Sequence, residues 1–327
     1  MTTQLDLGFS SVRRPLRIID LCCGAGMASL GFLRASGYVV DLGVDLWGPA
    51  AEVFNVAAGP AYEADVLEIA FDYHDAGPRP DVVIAGPPCQ DDSRLGKLHP
   101  DQGRGEIKAP ALLAARWFRP TWIVMEMVGK GWEGWAREQG ARQVLKLRDC
   151  DCGGSTIRNR WFAIWGPRDL ELRERPATPW NEVLGVTDPG AVLATDANGS
   201  RRWRLAKRVG EAAQTVIGHG TSHQLKLSDG TVRRLTPAEE AALQGHAELP
   251  LEGLTVRTAQ TLVGNGWPAS FGQALGEAIL RATAGDPDGL PEVPGWDELD
   301  IEELAETVHA ARYEKQHALD KLRAAVP

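Results

Sequence analysis

Several short apolar runs punctuate the first half of the chain. Leu16-Arg17-Ile18-Ile19-Asp20-Leu21, Val39-Val40-Asp41-Leu42-Gly43-Val44, Asp81-Val82-Val83-Ile84 and Trp122-Ile123-Val124-Met125 are four to six residues long. Near-continuous apolar runs bounded by turn residues read as buried strands, the signature of a sheet covered on both faces. Between them lie helical stretches: a start at Ala28–Leu33, then Pro110–Phe118, then 129–142 with Trp132 and Trp135 on one side. A third strand is expected at Asp65-Val66, so the first 85 residues read as βαβαβ. Gln143–Leu147 and Arg160–Trp165 read as two further strands around a Cys/Gly-rich loop.

Beyond Pro167 the pattern changes. Prolines, glycines and short polar stretches dominate to Val232, and regular periodicity is poor, which predicts a small loop-rich second domain. Thr236-Pro237-Ala238-Glu239 then carries a helix start, with Thr236 as N-cap, Pro237 at the first position and Glu239 closing a capping box. Leu262–Pro268 reads as a turn leading into a helix over Ala269–Ala284, with Phe271, Leu275 and Ile279 on one stripe. A Pro/Gly/Asp linker follows, then an amphipathic helix over Ile301–Val326 whose seam Lys315 interrupts. This predicts a first domain part over 1–166, a small domain over 167–232, a return to the first domain over 233–284, and a linker with a terminal helix over 285–327. Pairing of two chains through that last helix stays open.

Composition narrows the class. The chain has 327 residues, enough for one large domain and a smaller one. No apolar run is long enough to span a membrane, and the N-terminus lacks a signal-peptide core. The odd set Cys22, Cys23, Cys89, Cys150 and Cys152 argues for a reducing, cytoplasmic setting rather than a disulfide framework. Cys150-Asp151-Cys152 is too tightly spaced for a Cys-x-x-Cys knuckle and has no matching pair, so no metal is expected. A net charge of −9 does not exclude nucleic acid, because a local basic face decides that interaction.

The candidate chemistry sits at strand tips. Ala85-Gly86-Pro87-Pro88-Cys89-Gln90 follows a strand, and two prolines stiffen the turn, so Cys89 reads either as a thiol nucleophile held still or as a buried structural cysteine. Cys22-Cys23-Gly24-Ala25-Gly26 after the first strand is a Gly-x-Gly turn of the kind that lets a ligand approach the backbone at a helix N-terminus. Asp45, at the tip of the second strand, suits ribose hydroxyls. Leu46 and Trp47 suit an adenine ring, with core packing the alternative for Trp47, and Asp65 suits an adenine amino group or the cap of the next helix. The loop 91–109 is long, aperiodic and rich in Gly, Ser, Arg and Lys; it reads as a functional lid whose Ser93, Arg94, Lys97, Arg104 and Lys108 could meet phosphate, or as a solvated loop. Glu126 ends a strand near the Cys89 turn and can act as an acid. Arg158 and Arg160, two apart, share one face of an extended segment. Arg201-Arg202-Trp203-Arg204 and then Lys207-Arg208 form the densest basic cluster, which with its interleaved Trp203 suits phosphate contact plus stacking, or is a solvated basic face.

In this order and spacing the stretches resemble the DNA cytosine-5 methyltransferases across most of residues 16–282. Asp20-Leu21-Cys22-Cys23-Gly24-Ala25-Gly26 is similar to that family's first cofactor motif, and Gly86-Pro87-Pro88-Cys89-Gln90 to its nucleophile motif. Met125-Glu126-Met127-Val128 resembles its Glu-Asn-Val motif, and Arg158-Asn159-Arg160 the end of its Gln-x-Arg-x-Arg motif. Arg234-Leu235-Thr236-Pro237 through Leu243-Gln244-Gly245 resembles its ninth motif, and Gly264-Asn265-Gly266-Trp267-Pro268 its tenth. Departures stand at Met27, Asp92, Met127, Thr156 and Trp267, where the family usually has Gly, Phe, Asn, Gln and Val.

The resemblance implies an α/β, Rossmann-like domain dependent on S-adenosylmethionine, with a small target-recognition domain, acting on double-stranded DNA. It implies cofactor contacts from Asp20, Cys22, Gly24, Gly26, Asp45, Leu46, Asp65, Pro87 and Asn265. Catalysis would fall to Cys89, Glu126, Arg158 and Arg160, and DNA contact to Ser93, Arg94, Lys97, Arg104, Arg201, Arg202 and Arg204. The same scaffold acting on RNA or with a variant adenosyl-sulfonium donor, or an inactive DNA-binding relative, are the competing expectations.

Overall fold

A computed structural model describes residues 14–73, 79–88, 108–128, 132–196, 202–218 and 223–284. Its larger sheet has seven strands: β1 (Leu16–Leu21), β2 (Tyr38–Asp45), β3 (Ala61–Glu63), β4 (Val82–Ala85), β5 (Trp122–Met127), β6 (Gln143–Arg148) and β7 (Asn159–Trp165), in the order β3-β2-β1-β4-β5-β7-β6. The first five are parallel, and β7 runs antiparallel to both β5 and β6. From β1 the chain steps outward through β2 to β3, then returns to lay β4 on the other side of β1. That reversal puts a crevice at the carboxyl ends of β1 and β4, the place where open α/β sheets bind ligands.

Strand alternation divides the core between two faces. Ile19, Leu21, Val83, Ala85, Ile123 and Met125 point to one side, against α3 (Val66–Tyr73), α4 (Lys108–Trp117) and α5 (Trp132–Glu138). Ile18, Val82, Ile84, Val124 and Phe162 point to the other, against α1 (Met27–Leu33) and α9 (Ala269–Thr283). Because both faces are covered, these strands carry no polar alternation, which is why they stand out in the sequence. The third strand departs from its expected place at Asp65-Val66. β3 lies at the sheet edge with Tyr62 exposed, so no apolar run marks it.

The loop-rich stretch holds a second, antiparallel sheet: β8 (Val192–Thr195), β9 (Lys207–Arg208), β10 (His223–Lys226) and β11 (Val232–Arg234), in the order β11-β10-β8-β9. Strands of two to four residues are too short to show a period of two. Leu193 and Leu225 pack inward with Trp180 of the short helix α6 (Trp180–Val183). The capping box at Thr236 is formed at the head of α7 (Pro237–Leu243). The expected turn from Leu262 is shorter than read, because α8 (Val256–Asn265) runs through it. Thr255 caps α8 by accepting from the Thr258 N–H, and Ala259, Leu262 and Val263 bury one face.

Candidate active site

The loop after β1 carries three left-handed residues, Cys22 (φ 54°), Gly24 (φ 54°) and Gly26 (φ 79°), and Gly26 heads α1. Cys23 N–H donates to Val44 O at 3.0 Å, and Gly24 N–H donates to Asp45 Oδ2 at 2.8 Å. Asp45 Oδ1 accepts from Trp47 N–H at 2.9 Å. Asp45 therefore fastens the tips of β1 and β2 into one ledge, and burial holds its carboxyl above the ordinary range against those N–H groups. A Cβ on Gly24 would meet nothing within 4 Å, so the ledge opens onto free space. Beside it Leu46 and Trp47 are 56% and 37% exposed, which removes the core-packing reading of Trp47.

Asp20 lies beneath the ledge. It is buried, accepts from Ser29 Oγ at 2.7 Å and so ties β1 to α1, and burial raises its pKa well above the carboxylate range. Asp65 caps α3, accepting from Leu67 N–H at 2.9 Å through Oδ1. Burial first, then Asp45, Asp20 and Asp65, push the pKa of the Cys22 thiol far up.

The β4 turn meets this ledge. Gly86 N–H donates to Leu21 O at 3.1 Å, and a Cβ on Gly86 would sit 3.4 Å from Trp267 Nε1 and 3.7 Å from Cys22 O. Pro87 is buried and Pro88 exposed. Cys89 itself lies outside the described residues, as do Ser93, Arg94, Lys97, Arg104, Arg201 and the helix expected over 301–326.

One strand over, β5 delivers Glu126 to the same edge. Its carboxylate is buried, with Oε1 2.6 Å from Arg160 Nε of the neighbouring β7. Burial raises the Glu126 pKa, and the charges of Arg160 and Arg158 oppose that without cancelling it. Arg158 is 1% exposed, and its Nη1 donates to Val216 O at 2.8 Å. The carbonyl of Val216, 58 residues away, thus helps hold this guanidinium, a contact no sequence pattern announces. Asn265, exposed at the end of α8, lies against Gly218 of that same segment.

The basic cluster is less bare than its sequence suggests. Arg202 Nη1 bonds Asp196 Oδ1 at 2.7 Å, and Asp196 also takes Gln224 Nε2 at 2.8 Å and Arg234 Nη2 at 3.4 Å. Arg204 is exposed, and Trp203 is exposed with Lys226 Nζ 5.6 Å from its ring. Among the described residues no group of three or more His, Cys, Asp or Glu side chains is placed to hold a metal ion, and no helix is long and apolar enough to cross a membrane.

Residues 16–131 match the model of the C-5 cytosine-specific DNA methylase family. The chain is 34% identical over 116 residues to the type II methyltransferase M.HgiGI of Herpetosiphon aurantiacus, covering 35% of this chain and 90% of that one. It is 30% identical over 165 residues to M.HgiDI of the same organism, covering 46% of this chain but only 52% of that relative. The chain thus spans about half the length of M.HgiDI. Among solved structures, the Dnmt2 methyltransferase of S. pombe superposes with a TM-score of 0.58 at 14% identity, over 83% of this chain and all of that one. A putative DNA modification methyltransferase from an E. coli prophage superposes with a TM-score of 0.56 at 18% identity, over 81% of this chain and 99% of that one. The two superposed structures share with this chain the α/β fold of S-adenosylmethionine-dependent methyltransferases.

Proposed function

Because this chain belongs to the C-5 cytosine-specific DNA methylase family, we propose that it transfers a methyl group from S-adenosylmethionine to C5 of a cytosine flipped out of double-stranded DNA. The observation that carries the reading is Glu126, buried and paired with Arg160 at the strand edge beside the Gly86-Pro87-Pro88 turn. The ledge fits the cofactor: Gly24 leaves room for it, Asp45 offers a carboxylate to its ribose, and Leu46 and Trp47 offer exposed apolar surface to its adenine. Asp20, Cys22, Gly26, Asp65, Pro87 and Asn265 complete the set proposed to hold or shape that site. When bound, the cofactor supplies an electrophilic methyl group.

The protein's own part follows from cytosine chemistry. C5 is a weak nucleophile until a thiolate adds at C6 and makes it enamine-like, the role assigned to Cys89. Glu126, protonated, donates to N3 as negative charge develops there, and its raised pKa favours that form. Arg158 holds the base, and Arg160 holds Glu126. Once C5 has taken the methyl group, a water molecule takes the C5 proton, the C5=C6 double bond reforms, and the C6–S bond breaks to release Cys89 as thiolate. A stacked base cannot reach these groups, so it must leave the duplex. The DNA contacts are assigned to Ser93, Arg94, Lys97, Arg104, Arg201, Arg202 and Arg204, with Arg202 exchanging Asp196 for phosphate. Relatives named type II methyltransferases support a restriction-modification setting.

The test is nucleoside mass spectrometry of DNA from a methylation-free host expressing the chain or its Cys89→Ala form. 5-Methylcytosine from the first alone is the expected result. A cytosine of another mass would overturn the methyl donor, and unmodified DNA from folded protein would overturn the function.

A further inference from the structure

A buried carboxylate sits behind the arginine pair. Asp149 is 1% exposed, at the start of the loop between β6 and β7. Its Oδ2 accepts from Thr156 N–H at 2.8 Å and from Thr156 Oγ1 at 2.6 Å. Its Oδ1 accepts from Ser270 Oγ, in the first turn of α9 and just past the Asn265–Pro268 turn. Three donors on one buried carboxylate make a fully built site rather than an accident of packing.

The same network closes on Arg158. Thr156 Oγ1, while donating to Asp149, accepts from Arg158 N–H at 3.3 Å. Asp149 N–H donates to Arg158 O at 2.9 Å. The backbone on both sides of Arg158 is therefore pinned by one residue, directly and through Thr156. Asp149 O also accepts from Cys152 and Gly154 N–H, and a Cβ on Gly154 would collide with the Asp149 carboxylate. Thr156 stands where the family usually has Gln. A Thr is too short to replace a Gln by reach, but its hydroxyl can accept and donate at once, which this relay uses.

We propose that Asp149 is the positioning residue for Arg158, acting through Thr156, and that its bond to Ser270 locks the base-holding arginine to the helix that follows the cofactor-side turn. The inference rests on the assignment of Arg158 to the base. Arg158 makes its productive contact only if its backbone is fixed, since a misplacement of about 1 Å can cost about 100-fold in rate.

The test is a double-mutant cycle on the full chain. It is read by transfer of labelled methyl from S-adenosylmethionine to DNA, and by calorimetry of S-adenosylhomocysteine binding. Asp149→Ala should lower kcat by roughly 10- to 100-fold with the KM for DNA and the affinity for S-adenosylhomocysteine within about twofold of the parent. Asp149→Asn should recover most of kcat, because its Oδ1 still accepts from Thr156 and its amide donates to Ser270. On an Arg158→Lys background, Asp149→Ala should cost nothing further. Thr156→Val, nearly isosteric, provides the same readout should Asp149→Ala fail to fold. Additive losses in the cycle, or a parent-like kcat in Asp149→Ala and Thr156→Val, would overturn the proposal. A parent enzyme without transferase activity would instead strike the function. In that case hydrogen exchange over 149–160 still decides whether Asp149 holds Arg158, since unchanged protection in Asp149→Ala refutes it.

Discussion

His246 offers a stability measurement whose size follows from the structure. It is fully buried behind α7, with Nε2 3.0 Å from Trp267 O, so Nε2 carries the proton and donates. Among the described residues Nδ1 has no partner. A second proton there would place an unsatisfied charge in the core. Burial, with a smaller push from Arg34, accordingly lowers its pKa from 6.5 to about 4. A base whose folded pKa is depressed favours the folded state above the unfolded pKa. That advantage fades as pH falls from 6.5 toward 4, because the unfolded chain binds the proton first. The loss comes to about 1.4 kcal/mol at about pH 5.5 and about 3 kcal/mol below both values. Urea unfolding from neutral pH to about pH 4 would be compared between the parent and His246→Gln, whose amide can still donate to Trp267 O. The difference between them cancels the carboxylates they share. The expected result is a parent curve that falls relative to the variant by these amounts. Parallel curves through this window would refute the argument.

Three further outcomes are expected. Glu126→Ala should abolish turnover and, by stranding mostly buried Arg160, lower unfolding free energy by about 3 kcal/mol in urea titration. Gly26→Ala forces a Cβ into φ 79° and to 3.0 Å from Ala58 Cβ and Phe54 Cδ2; it should weaken S-adenosylhomocysteine binding by roughly tenfold, about 1.4 kcal/mol, in calorimetry. Thr236→Ala removes the side-chain cap that accepts from Glu239 N–H, leaves the backbone bond from residue 236 to Glu239 Oε2, and should lower stability by about 1 kcal/mol, read as a shift in the urea midpoint.

Much of this protein is written locally. The apolar runs of β1, β2, β4 and β5 declare a sheet covered on both faces, because a strand buried on both sides needs no polar alternation. The left-handed glycines at 24 and 26, the Pro-Pro turn before Cys89 and the capping box at Thr236 are short-range signals, each fixed by the backbone chemistry of a few neighbours. Strand tips therefore announce Asp45, Glu126 and the arginine pair. What the chain alone does not disclose depends on partners distant along it. Arg160 reaches Glu126 because β7 turns antiparallel beside β5, and Arg158 rests on Val216 O only once the segment between β9 and β10 folds back on it. Asp149 meets Ser270 across 121 residues. Asp196 draws Arg202, Gln224 and Arg234 into one cluster and spends charge that the sequence counts as available to DNA. Hydrogen bonds and burial between remote segments set which charges are spent and which pKa values move, and no periodicity encodes them; only the tertiary fold decides them.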